Sequence, residues 1–127
     1  MCGVHGLGGV HQRRTLMTLA RMLGCTMQIR RWNEPGSPGE RALRRRLEGE
    51  GYSVYAWTDA PGTTYPPHAH DEDQSHWVLE GSIALVVGGE EYVLGPGDRD
   101  WLPKGTVHSA RVVGDVPVTY LIGARTR

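Results

Sequence analysis

From residue 52 onward, apolar residues fall in short runs, the longest Ile83–Val87, broken by glycine and proline, a pattern of strands rather than helices. Residues 52–58, 63–70, 74–80, 82–87, 90–94, 98–102, 106–113 and 116–122 read as eight strands. The breaks between them are Pro61-Gly62, Gly81, Gly88-Gly89, Gly95-Pro96-Gly97, Pro103-Lys104-Gly105 and Gly114-Asp115. Gly88-Gly89 and Gly114-Asp115 have the length of two-residue hairpin turns. Short strands with regular turns predict an all-β jelly-roll or related barrel.

Upstream the period changes. Ser37-Pro38-Gly39-Glu40 has the form of a capping box with proline at the first helical position. Leu43 and Leu47, four apart, give one narrow apolar stripe, and Gly49 and Gly51 supply a stop. Glu40–Arg44 and Arg44–Glu48 are spaced as ion pairs on the outer side. The stripe is expected to dock on the barrel or on a partner chain. Residues 1–26 read as an N-terminal extension without stable order, glycine-rich at its start, with Met27 the more natural beginning. Residues 27–51 then form a helical lead-in and 52–127 the barrel.

At 127 residues the chain fits one domain whose core takes up most of it. Its zero net charge hides an asymmetry: nine arginines face four glutamates in residues 1–50, and five basic residues face ten acids in 51–127. The arginines are accounted for by a solvated helix surface, and nothing else resembles base or phosphate readout, so nucleic acid is not expected as a partner. No apolar run reaches transmembrane length, so no membrane span is expected. Arg13-Arg14 followed by residues 16–25 imitates a lipoprotein leader, but Arg21 interrupts it. Cys2 and Cys25 both lie in the extension, where a disulfide would staple nothing in the core. Reduced thiols in a cytoplasmic protein are expected.

The chemistry concentrates in four histidines of the strand region: His68, His70, His76 and His108. His68 and His70 are two apart, so on one strand they would share a face. A third imidazole from a strand across the barrel would complete a coordination face. His-x-His alone is better read as a surface or hydrogen-bonded pair. The surrounding pattern changes that reading. Gly62-TTYPP-His68-Ala-His70-DED-Gln74-SHWVLE-Gly81 resembles the first motif of the cupin superfamily, and Gly97-DRDWL-Pro103-Lys-Gly105-TV-His108-SAR-Val112 resembles the second.

The resemblance implies a cupin double-stranded β-helix with a short N-terminal helix, and a divalent transition metal (Fe, Mn, Ni, Cu or Zn) on His68, His70 and His108. The carboxylate ligand of the family falls on Gln74 and its final asparagine on Val112. An amide oxygen of Gln74 can coordinate but adds no charge, leaving a divalent site near +2 where a glutamate would give +1, a stronger Lewis acid with weaker metal affinity. An anionic or chelating ligand would supply the missing charge. His76 alternates with Gln74 onto the same face, where it is a fourth ligand, an acid/base group or a wall residue. Glu72 would reach the site only by a register shift.

The function implied is binding of, or action on, a small anionic or chelating metabolite, of dioxygenase, isomerase or lyase type. The alternative is a non-catalytic metal or small-molecule sensor or dimeric binding module. A homodimer is expected from exposed strand edges. Trp57, Trp77, Trp101 and Tyr92 are expected to pack the barrel of a chain without phenylalanine. Tyr55, Tyr65 and Tyr120 are candidates for the pocket wall, and Arg111 is expected to point outward.

Overall fold

The structure is a computed structural model that describes residues 27–126; the expectations for residues 1–26, including Cys2 and Cys25, lie outside them. In chain order the described elements are β1 (Gln28–Arg30), α1 (Glu40–Gly49), β2 (Ser53–Asp59), β3 (Thr64–His68), β4 (Asp73–Glu80), β5 (Ser82–Val87), β6 (Glu90–Leu94), β7 (Arg99–Trp101), β8 (His108–Val113) and β9 (Val118–Arg125). The strands form two antiparallel sheets, one in the order β1-β7-β4-β9-β2 and one in the order β3-β8-β5-β6. This is the all-β double-stranded β-helix predicted from the strand pattern and the two motifs, with one short helix ahead of the barrel.

Alternation along β4 and β9 decides what lies on each face of the larger sheet. Val78 and Tyr120 point between the sheets, where they join Met27, Ile29, Ile83, Leu85, Val87, Leu94, Leu102, Val112 and Val118 in one buried cluster. Trp77, Leu79 and Leu121 point the other way and pack with Leu43, Leu47 and Tyr52 in a second. The Leu43/Leu47 stripe therefore docks on the chain's own barrel. Arg99 fastens that contact: its guanidinium lies 4.6 Å from the Trp77 ring and 4.1 Å from the Trp101 ring and donates to the Glu50 carboxylate at the end of α1.

Local details depart from expectation in instructive ways. The lead-in holds an element beyond the helix, since β1 pairs with β7 and buries Met27 and Ile29. The helix starts two residues later than a capping box at Ser37 would place it: Gly39 is the N-cap, with no side-chain cap. The Trp32 indole N–H donates to the Gly36 carbonyl at 3.0 Å, and the turn this holds leaves Ser37 and Pro38 outside the helix. Gly88-Gly89 makes the expected hairpin turn, with both residues at positive φ and β5 paired directly to β6. Gly114-Asp115 does not. β8 and β9 belong to different sheets, so this segment crosses between them, and Pro117 lacks the N–H that a ladder there would use. Gly81, where β4 turns into β5, has φ +74°, and a Cβ there would strike the Pro117 carbonyl oxygen.

Candidate metal centre

Two prolines help to bring the first pair of histidines together. Tyr65 pairs with Ala110, but His68 pairs with His108, so β3 carries one residue more than β8 between these points. Pro66 and Pro67, which have no N–H to give to a ladder, occupy the resulting bulge. Were the same residues paired in unbroken register from Tyr65, Pro67 would stand opposite His108. With the bulge, the His68 and His108 rings are 4.3 Å apart.

His70 arrives by a different route from the one the alternation predicted. β3 ends at His68, so His70 lies in the following loop and strand periodicity does not position it. Its carbonyl accepts from Gly105 N–H at 2.9 Å, and Asp73 Oδ1 accepts from Lys104 N–H at 2.8 Å. These bonds tie the β3–β4 loop to the β7–β8 loop that leads into His108. The His70 ring sits 4.8 Å from His68 and 5.0 Å from His108.

The donor chemistry fits a metal. His68 Nδ1 is 2.7 Å from the Pro66 carbonyl and His108 Nδ1 is 2.9 Å from that of Thr106. A carbonyl only accepts, so each Nδ1 carries the proton and each Nε2 keeps its lone pair free. One ring nitrogen from each of the three histidines lies within 4.8 Å of the others, and among the described residues these three form the one His, Cys, Asp or Glu group able to share an ion. Burial, reinforced by His68 and His76, lowers the pKa of His70. Burial also pushes His108 down to about 4, against the Thr106 carbonyl and with help from the other imidazoles. Both are held neutral, the form that binds metal.

The remaining candidates flank this triad. Gln74 is 5% exposed, on β4, and its Nε2 donates to Glu72 at 2.9 Å, leaving Oε1 as the free acceptor. Glu72 stays outside the histidine group. His76 shares the pocket-facing side of β4 with Gln74, and its Nδ1 faces the fully buried Asp100 carboxylate at 2.9 Å. Burial depresses the His76 pKa, but the charge and hydrogen bond of Asp100 outweigh it and the net direction is up. Asp100 was not foreseen. It sits in a strand of three residues whose Arg99 and Asp100 are both buried, so alternation gave no sign of which one faced the site.

These groups open into a pocket of about 240 Å³ between the sheets. Tyr55, Trp57, Gln74, His76, Tyr120 and Ile122 line it from the larger sheet. Tyr65, His68, Ile83, Leu85, His108 and Ala110 line it from the smaller, with His70 from the loop. The three tyrosines proposed for the wall are all there. Trp57 corrects the packing expectation: it is 49% exposed and forms part of the pocket. Arg111 points outward, as read, and pairs with Glu91 at 2.9 Å.

A two-sheet β-helix with imidazoles converging in the space between its sheets defines a class of small barrel proteins with a histidine group that could hold a metal ion beside a pocket. The chain belongs to the cupin family, whose domain description matches residues 55–122. It is 34% identical over 68 residues to a quercetin 2,3-dioxygenase of Bacillus subtilis and 30% identical over 71 residues to the mannose-1-phosphate guanylyltransferase ManC of Salmonella typhimurium. Those matches cover 53% and 55% of this chain but only 20% and 15% of the relatives. Among solved structures it is similar to the polyketide cyclase RemF from Streptomyces resistomycificus, with a TM-score of 0.53 and 28% identity over 57% of this chain and 53% of that one. No described helix is long and apolar enough to cross a membrane.

Proposed function

We propose that the protein is a metal-binding cupin that binds or transforms a small anionic or chelating metabolite, with His68, His70 and His108 as metal ligands and Gln74 beside them. The observation that carries this is that one ring nitrogen of each of the three histidines lies within 4.8 Å of the others, while the Nδ1 atoms of His68 and His108 face backbone carbonyls. A divalent metal bound there would polarise a carbonyl or hold an enolate oxygen of the ligand. Three neutral imidazoles do not choose among Fe, Mn, Ni, Cu and Zn.

In this reading the chain's own residues do the rest. Gln74 contributes no charge, so an anionic ligand is favoured electrostatically. His76, oriented by Asp100 through Nδ1, holds or moves a proton at Nε2 on the pocket side. The aromatic and aliphatic walls exclude water from the ligand. That one relative is a dioxygenase, another a guanylyltransferase and a third a cyclase supports metabolite chemistry without selecting the reaction. A cytoplasmic homodimer completes the proposal, with the open edges of β2 and β6 available for pairing.

Metal analysis of purified protein tests the first half, with one ion per chain expected and none after His68→Ala or His108→Ala. Oxygen uptake and isomerisation assays with a panel of chelating acids and diketones test the second. Gln74 favours a second reading, a sensor without turnover, because the carboxylate of the family motif is missing. Full metal loading with no conversion of any panel member would select it.

A further inference from the structure

The pocket has a second polar point beside its histidines, with the Tyr65 ring 6.4 Å from that of His68 and the Tyr120 ring 5.9 Å from that of His76. Asp59, the last residue of β2, is 6% exposed, and three donors converge on its carboxylate. Tyr65 OH at 2.6 Å and Trp57 Nε1–H at 3.0 Å meet Oδ1, and Tyr120 OH at 2.8 Å meets Oδ2. The donors come from three different strands, and all three side chains line the pocket. A carboxylate can only accept, so each phenol spends its single proton on Asp59. Each hydroxyl oxygen then has only lone pairs to offer. Burial first, and the Asp59 carboxylate second, push both phenols above their ordinary value, so they remain neutral.

Around this point the pocket is apolar, with Ile83, Leu85 and Ile122 on its walls and the Trp57 ring at one side. A ligand acceptor turned toward two phenolic oxygens would lose its water and gain no partner, a net cost. A ligand donor would be matched. The volume of about 240 Å³ lies below the ~300–1,000 Å³ of pockets for drug-sized molecules, so the ligand is smaller than that.

We propose that Asp59, Tyr65 and Tyr120 form a recognition point that selects a hydroxyl or N–H donor on a small ring-bearing ligand. This deepens the reading above and rests on the same pocket being the ligand site, though not on the metal. Asp59 acts here as a positioning residue: it fixes which way the phenolic protons point, and the tyrosines touch the ligand.

The test uses chelator-treated protein titrated separately with phenol, anisole and toluene, with dissociation constants read from the Trp57 indole N–H resonance. Phenol is expected to bind about fivefold more tightly than anisole, which accepts but cannot donate. It should also exceed toluene, although toluene is the more hydrophobic. In Asp59→Asn the carboxamide NH2 donates to one phenolic oxygen and turns that phenol's proton toward the ligand while the other phenol is unchanged, so the preference for phenol over anisole falls below its native value. A native protein that binds phenol no better than anisole, or shifts with none of the probes, overturns the inference. So does a folded Asp59→Asn variant that keeps the preference. If that variant does not fold, the native comparison stands alone as the test. Zinc uptake measured in parallel separates the two readings. Phenol selectivity without zinc binding removes only the metal, and zinc binding without selectivity removes only the recognition point.

Discussion

The two faces of the larger sheet are built from the same strands and do opposite things. On the outer face Trp77, Leu79 and Leu121 meet Leu43 and Leu47 of α1 in a buried cluster. On the inner face Gln74, His76 and Tyr120, one residue out of step on the same strands, look into a pocket of about 240 Å³. Alternation alone distributes the side chains. The inner polar groups are held from behind: Glu72 bonds Gln74, Asp100 bonds His76 and Asp59 bonds Tyr120. Hydrogen-bonded polar groups can then be buried without filling the space in front of them.

The sharpest way to break the comparison is to damage one face and watch the other. His108→Ala should abolish metal uptake, a loss of more than about 100-fold in affinity by isothermal titration, with the helix contact intact by near-ultraviolet circular dichroism of Trp77. The reverse experiment is Leu47→Ala. It removes a fully buried side chain from the outer cluster and should cost about 2–5 kcal/mol in denaturant unfolding, while the folded variant still takes up one metal per chain.

Acid distinguishes the faces next. His108, with its pKa near 4 in the fold and an ordinary value near 6.5 unfolded, binds its proton more readily when the chain is unfolded. The contribution of His108 to the stability of the metal-free protein is therefore full above about 6.5 and is lost as pH falls toward 4, by on the order of 3 kcal/mol. His108→Ala should flatten that slope, and Leu47→Ala should leave it unchanged; urea midpoints measured from pH 7 to 4 decide. The smallest effect belongs to Gln74→Glu, which adds a negative charge beside the triad and should raise metal affinity on the order of tenfold. The same change sets two carboxylates side by side at Glu72 and should lower the melting point of the metal-free protein.

The filled face was the easier to read. Leu43 and Leu47 at helical spacing, and the short strand-sized runs of β4, β5 and β9 between glycine and proline breaks, are visible in the sequence, and the helix and the β class follow from them. The triad was legible only through its two motifs, because His68, His70 and His108 are brought together by a bulge and two loop-to-loop hydrogen bonds that no periodicity encodes. β1 escaped notice because a strand of three residues is too short to show alternation. Asp59 and Asp100 were invisible for another reason. A buried acid in sequence looks like a surface acid until its donors are known, and those of Asp59 come from as far as 61 residues away.

The doubled proline before His68 has a consequence for how this barrel can vary. Wall residues such as Ile83 or Leu85 can be exchanged one for another, because shape there is shared among many neighbours. The stretch from Tyr65 to His68 has no such latitude in length. Inserting one residue would carry His68 past His108, and deleting one would remove the bulge itself. Grafts and chimaeras of this barrel should keep that count even where they keep little else.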